Sequence, residues 1–365
     1  MSLTRFLLAW RTIPLRDREV IDALVHPLHA GPSAELAHAL QAWRGSHYWS
    51  DEPDGRHLVL THPAGPRPPE RWIAHAVLFA ATLFTTTLGG AVFAGAVGID
   101  TALTPTAWGN VLAHGWSRGL VFSLPLLAIL MGHELGHYVM ARRYLLDVSP
   151  PYFLPGPPLP IGTLGAFIRL RTILTDRRQL IDVGAAGPFA GFVIALPLLW
   201  IGFALSRPAL SGAVGMEVWA GNQPLWYLGD SIITRVVRFF AMGHASGIVL
   251  HPIAVAGWFG MFVTALNLLP IAQLDGGHIL YSAAPKHHEG LGRGFWIVIM
   301  LMGWFWIGWL VWGSLLLVLS RGRLGHPPVL DAYRPLPRSR RWLAWASLAL
   351  FLVTFTPVPL ASFGP

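Results

Sequence analysis

The sequence predicts an all-α polytopic membrane protein of about six transmembrane helices, with a small membrane-associated β-hairpin between the second and third. Three observations carry this. Of the 365 residues, 53% are hydrophobic and only 12% charged, and the mean hydropathy is +0.51, far from a soluble domain. Long apolar runs recur, and the 26 Lys and Arg cluster in the segments between them. Between residues 145 and 180 the chain is too polar and too rich in proline to span.

Residues 1–70 are polar and mixed, with a short helix expected over 33–43 and a proline-rich exit at 63–69. They read as a soluble or membrane-surface segment without a chemical motif. Residues 71–365 read as the membrane domain, with spans near 72–98, 118–144, 182–205, 252–269, 294–320 and 342–356; about 20 apolar residues cross a hydrocarbon core of about 30 Å. Alternation over 166–171 reads as one strand of a hairpin, and a free strand edge there suits main-chain pairing with an extended substrate. The third span opens with Gly184, Gly187 and Gly191, a small-residue pattern by which membrane helices approach closely. Residues 206–250 read as a loop with an amphipathic surface segment at 231–240.

The centre of the pattern is Met131 to Met140, Met-Gly-His-Glu-Leu-Gly-His-Tyr-Val-Met. His133 and His137 are i and i+4, about 6 Å apart along a helix and about 40° around it, so both imidazoles reach one ion. Glu134 stands where a metal-activated water would need a base. An ionisable cluster inside a span costs on the order of 2.5 to 3.5 kcal/mol per charge, which marks it as functional. The chain has no cysteine, so a metal must be held by His and carboxylates.

A third ligand is needed for a zinc-type site. Asp275 is the only acid between Asp230 and Glu289, at the end of an apolar run broken by Pro270. An isolated carboxylate there needs a cation. His278, three residues on, competes with it as ligand or supports it from behind. Asn267 either links helices or orients substrate. The formal charge of +8 comes without a base-reading motif, which argues against nucleic acid as a partner. A cleaved signal peptide is not expected, because the first ten residues lack a small-residue cleavage site.

The Lys/Arg rule orients the chain. With six alternating spans, 16 of the 26 Lys and Arg fall on the side of the metal pair, against 10 opposite. That side is expected to be the cytoplasmic face of a bacterial cell membrane. The basic connector 321–341 counts against the assignment.

Met-Gly-His-Glu-Leu-Gly-His, together with Asn-Leu-Leu-Pro and Leu-Asp-Gly-Gly-His, resembles the paired metal motifs of the site-2 proteases, zinc intramembrane metalloproteases. Gly162-Thr-Leu-Gly-Ala-Phe, Gly187-Pro-Phe-Ala-Gly and His326-Pro-Pro resemble the branch of the plant plastid yellow-green, gravitropism-deficient proteins and their bacterial relatives. The resemblance implies one Zn2+ per chain on His133, His137 and Asp275. It also implies Glu134 as base and transmembrane proteins as substrates cut within the lipid bilayer. Gly162, Thr163, Gly165 and Asn267 are the candidates for contact with substrate or transition state. The rivals are a zinc-binding transporter and an inactive relative. No internal polar stretch is long enough for the PDZ module that other branches insert.

Overall fold

The computed structural model describes all residues except 1–2, 16, 66–68, 99–103, 173, 175, 210–214, 221–222, 245–246, 328, 330–334 and 363–365. The chain divides into two compact units. The first comprises Met1–Glu70, Ala141–Ser149 and Arg169–Leu174; the second holds the remainder.

The first unit contains more strand than its sequence advertises. β1 (Leu7–Pro14), β2 (Arg18–Val25), α1 (Ala34–Gln41), β3 (Ser46–Glu52) and β4 (Gly55–Pro63) build an antiparallel sheet of order β1-β2-β4-β3. Ser33 caps α1, its hydroxyl accepting from the Leu36 N–H, and Leu36, Ala39 and Leu40 pack with Phe6, Val25, Leu58 and Leu60. The strands escaped the sequence reading because only β4 carries an unbroken buried run, Leu58 to Leu60; β1 is exposed over Leu8 to Thr12.

The second unit is helical at its centre. α2 (Trp72–Phe93) is followed by α3 (Pro105–Asn110), a π-helical turn at Val111–Gly115 and α4 (Trp116–Arg143). β5 (Tyr152–Pro155) and β6 (Thr163–Phe167) then form the expected antiparallel hairpin, and α5 (Arg177–Ala204) follows. Its start is capped by Asp176, whose carboxylate accepts from the Gln179 N–H at 2.8 Å. Among the described residues, three helices are long and apolar enough to cross a membrane: Trp72–Phe93, Ala113–Arg143 and Arg177–Ala204. At 1.5 Å per residue even the shortest reaches about 33 Å.

The expected loop at 206–250 is instead mostly structured. β7 (Arg207–Pro208), β8 (Gly215–Ala220), β9 (Gln223–Leu228), α6 (Ile232–Met242) and β10 (Gly247–Val249) lie there, and β11 (Leu360–Ser362) joins them in a sheet of order β11-β9-β8-β10-β7. The all-α expectation is therefore corrected: the protein is predominantly helical and carries three sheets among the described residues. α6 is the amphipathic segment expected at 231–240, with Ile232, Val236, Phe239 and Phe240 exposed on one face.

α7 (Pro252–Asn267) packs along α5, where Gly257 and Gly202 let the backbones meet. A Cβ on Gly202 would lie 2.2 Å from the Ala254 nitrogen, and one on Gly257 would lie 2.8 Å from Leu199 Cα. α8 (Asp275–Ala283) follows after the break at Pro270.

The fifth expected span, 294–320, is not one helix. α9 (His288–Met302) and α10 (Gly308–Leu319) are separated by a turn and fold back on each other. Trp296 Nε1 donates to the Gly313 carbonyl at 3.0 Å, and a Cβ on Gly303 would lie 2.2 Å from Leu310 Cγ. The glycines that looked like interruptions are the contact points of a helical hairpin. The chain thus returns to the end from which α9 departs: the Ala272 N–H donates to the Leu324 carbonyl at 3.2 Å, and Gly325 sits against Glu289.

α11 (Arg338–Thr354) then runs back along α5. Arg340 grips the buried Asp182 at the start of α5 with contacts of 2.8 to 3.2 Å. At the other end the Gly229 N–H donates to the Pro359 carbonyl at 2.9 Å. Residues 321–327 and the start of α11 at Arg338 therefore lie at the same end of the unit as 270–293.

Because the chain lacks cysteine, single cysteines report this arrangement directly. In sealed vesicles, Lys286→Cys and Arg323→Cys are expected to react with an impermeant maleimide from one side and Arg207→Cys from the other. Opposite labelling of positions 286 and 323 would restore a single fifth span.

Candidate metal centre

Three side chains from two helices converge near the end of α4. His133 and His137 lie on its inward face, and Asp275 is the first residue of α8. Their donor atoms face each other closely. His133 Nε2 lies 3.1 Å from His137 Nε2, and each lies 3.3 Å from Asp275 Oδ2. The two histidines are buried.

The chemistry of this set fits a small dication. His137 Nδ1 donates to the Val183 carbonyl at 2.7 Å, which leaves its Nε2 with a lone pair pointing at the other two donors. Such an outer hydrogen bond is the usual means of fixing a ligating tautomer. A tetrahedron with edges of 3.1 to 3.3 Å has its vertices about 2 Å from the centre, the distance at which zinc takes nitrogen and oxygen. It is the only group of three such donors among the described residues.

The surrounding helices are shaped to this cluster. On α5, a Cβ at Gly187 would lie 2.0 Å from His137 Nε2, whereas one at Gly191 would lie 3.3 Å from His133 Cβ. Gly187 is thus a requirement of the imidazole itself. Gly136 on α4 presses against the Ala186 carbonyl, 2.4 Å from a built Cβ, so close helix packing and seating of the ring are one feature. On α8, Gly276 and Gly277 are pressed against the Leu268 and Ala272 carbonyls, at 2.0 and 2.4 Å from a built Cβ. They allow α8 to start immediately after the turn and deliver Asp275 to the histidines.

Glu134 is buried and, with His133, lines a cavity of about 690 Å3. Thr163, Leu164 and Gly165 of the hairpin form one wall, and Asn267, Trp312 and Leu316 stand elsewhere around it. Asn267 Nδ2 lies 3.2 Å from His133 Nε2.

The hairpin residues divide. Thr163 Oγ1 donates to the Leu154 carbonyl at 2.8 Å and accepts from the Gly165 N–H at 3.0 Å, holding the bend. Gly165 has φ 104° and open space at its Cβ position. Gly162, with φ 76°, instead packs on α2: its carbonyl accepts from Thr85 Oγ1 at 2.6 Å, and a Cβ would lie 2.5 Å from Thr86 Cα. It lies outside the cavity lining.

His278 stands behind the trio. His326 Nδ1 faces the Pro327 carbonyl and so carries the proton; its Nε2 accepts from His278 Nδ1 at 2.8 Å. Burial holds the His326 imidazole down at about 4, so that ring is neutral near pH 7. Tyr281 stacks on it. One His278 nitrogen is thus committed to the 321–341 connector, a partner its sequence spacing did not reveal. Gly187 and Val183 were equally hidden as neighbours of the site, although the Gly187-Pro motif was visible.

The sequence profile of peptidase family M50 matches residues 121–302, a stretch that includes both histidines, Glu134, Asn267 and Asp275. This part of the chain belongs to peptidase family M50, the site-2 proteases. Over 236 residues the chain is 31% identical to the probable zinc metalloprotease EGY1, chloroplastic, of Arabidopsis thaliana, covering 64% of this chain and 42% of that protein. It is 31% identical to the protein of the same name from Oryza sativa subsp. japonica over 241 residues, 64% and 39% of the two chains. With EGY2 of Arabidopsis thaliana the identity is 34% over 164 residues, 45% and 28%. The chain therefore spans about two fifths or less of the length of these relatives, whose names place them in the chloroplast, where the sequence expectation was a bacterial cell membrane. No solved structure matches.

In the M50 domain, Gly187→Ala is expected to push the His137 ring out of line and weaken metal retention by about tenfold or more, the scale of outer-shell losses. Gly191→Ala, with its looser contact, should retain metal nearly as the parent does. Metal content after dialysis against a graded chelator reads the difference; equal retention in both would dissociate Gly187 from the centre.

Proposed function

We propose that the protein is a zinc-dependent intramembrane endopeptidase, with His133, His137 and Asp275 holding the ion and Glu134 acting as base. The observation that carries this reading is the convergence of the three donors at 3.1 to 3.3 Å beside a buried carboxylate. Zinc bound there supplies polarisation of a carbonyl and acidification of water.

The chain's own residues do the rest. Glu134 takes a proton from the attacking water and returns it to the departing amine, the role for which a carboxylate next to the reacting centre is suited. Val183 holds the His137 tautomer, and Asn267, beside His133, is placed to donate to the main chain of a bound segment. The cavity wall formed by the hairpin suits an extended segment lying along β6, with Thr163 and Gly165 near it. A substrate helix must unwind locally, because its carbonyls are otherwise hydrogen-bonded and shielded.

The substrates of this reading are transmembrane segments of other proteins. In this reading α2, α4, α5, α7 and α11 cross the membrane, and α9 and α10 enter and return as a hairpin, a topology supported by the three long apolar helices and by the contacts between α9 and α10. α7, α9 and α10 span only about 18 to 24 Å, so they are served by a thinned or protein-lined zone. This arrangement brings the connector 321–341 to the side of the metal centre. Of the 26 Lys and Arg, 22 then lie on that side, which supports a cytoplasmic orientation far better than six simple spans do. A transporter would need several ligand sets along a path, and one is found among the described residues.

The test is Glu134→Gln beside the parent chain. Both are expected to bind about one zinc per chain, and only the parent to cut single-span substrates, with the variant slower by at least about a hundredfold. A variant that cuts as fast as the parent removes Glu134 from the chemistry; a parent that holds zinc and cuts no member of a broad panel favours a non-proteolytic role.

A further inference from the structure

A second cavity, of about 1020 Å3, lies between α9 and residues 319–327. It borders the catalytic cavity: Gln273, Leu319 and Ser320 line both. Its charged groups are Arg293, Arg321 and Arg323, with Glu289 as the single acid. Glu289 is engaged by Arg293, whereas Arg321 and Arg323 have no acidic partner among the described residues. His326, also in the lining, is neutral near pH 7, since burial holds it low.

The two arginines sit on a fixed turn. Arg321 and Gly322 have φ of 54° and 76°, and the Gly322 N–H donates to the Leu317 carbonyl at 2.8 Å, closing α10 in the manner of a Schellman cap. The connector is pinned further by Leu324 on Ala272 and by His326 on His278. Two guanidinium groups without an acidic partner among the described residues are thereby held at the mouth of this cavity, whose wall at Gln273, Leu319 and Ser320 is shared with the space that contains Glu134.

We propose that this cavity receives an acidic stretch of the substrate polypeptide flanking the segment to be cut, and that Arg321 and Arg323 are specificity-determining residues. The proposal rests on the proteolytic reading and gives it a substrate class: membrane segments with Asp or Glu at the flank on the catalytic side. Guanidinium groups suit such carboxylates through paired N–H donors. The wall shared with the catalytic cavity favours a polypeptide that continues from that cavity over a separate lipid headgroup. Lysine-flanked segments, the common form on a cytoplasmic face, would be disfavoured by like charge.

Binding is measured with the full-length zinc-loaded Glu134→Gln chain in neutral-lipid nanodiscs, using labelled peptides of one apolar segment flanked by four Asp, four Ser or four Lys. The Asp-flanked peptide should bind about tenfold tighter than the Lys-flanked one at low salt, the sum of two or three exposed ion pairs. The gap should shrink at high salt, where screening shortens to a few ångströms. In Arg321→Gln/Arg323→Gln it should vanish, and in Arg321→Glu/Arg323→Glu it should invert. Both positions are exposed, and unchanged zinc content verifies the fold. Equal binding of all peptides, or a preference that survives the double substitution, overturns the proposal. So does an effect confined to retention of phosphatidylglycerol, which would make the cavity a lipid site. Failure of the proteolytic reading is separate: the parent chain would bind these peptides with the same preference and leave them uncut.

Discussion

Bringing two imidazole nitrogens and a carboxylate oxygen to within 3.1 to 3.3 Å of one another in a buried setting is the requirement around which the second unit is arranged, and a small dication would compensate it. Burying an uncompensated carboxylate costs several kcal/mol, and lone pairs aimed at a common point repel. Much of the second unit follows from meeting this requirement. α5 must run close enough to offer the Val183 carbonyl to His137 Nδ1, which forces glycine at 187 because a methyl would overlap the ring. α8 must begin at Asp275, which forces Gly276 and Gly277 under the preceding turn. α11 is then tied to α5 through Arg340 and Asp182.

The same constraint explains what was legible in the sequence. His133, Glu134, His137 and Asp275 stood out because ionisable residues are costly in apolar runs, so each needs a chemical reason. The long spans near α2, α4 and α5 were legible for the complementary reason, their uninterrupted apolar length. By contrast, Gly187 reads as ordinary helix packing, and only coordinates show that the atom it accommodates is His137 Nε2. His326 is distant in sequence from His278 and carries no periodic signal.

The sheets were hidden because their strands are short and half-exposed. β7 and β11 have two and three residues, and pairing between β11 and β9 joins positions far apart in the chain. The hairpin of α9 and α10 was hidden differently: a run of 27 apolar residues at 294–320 satisfies the length rule for one span. What decides otherwise is the contact of Gly303 with Leu310 and of Trp296 with Gly313. The consequence reaches orientation, since the basic connector that seemed to oppose the Lys/Arg rule comes to the side of the metal centre.

The account depends most directly on the identity of the metal's ligands. X-ray absorption at the zinc edge of the purified full-length chain would read them without reference to activity. Two imidazoles with oxygen donors at about 2.0 Å, reduced to one imidazole in His137→Ala and unchanged in His278→Ala, is the expected result. A third imidazole that disappears in His278→Ala, or a spectrum indifferent to Asp275→Ala, would contradict the centre described here.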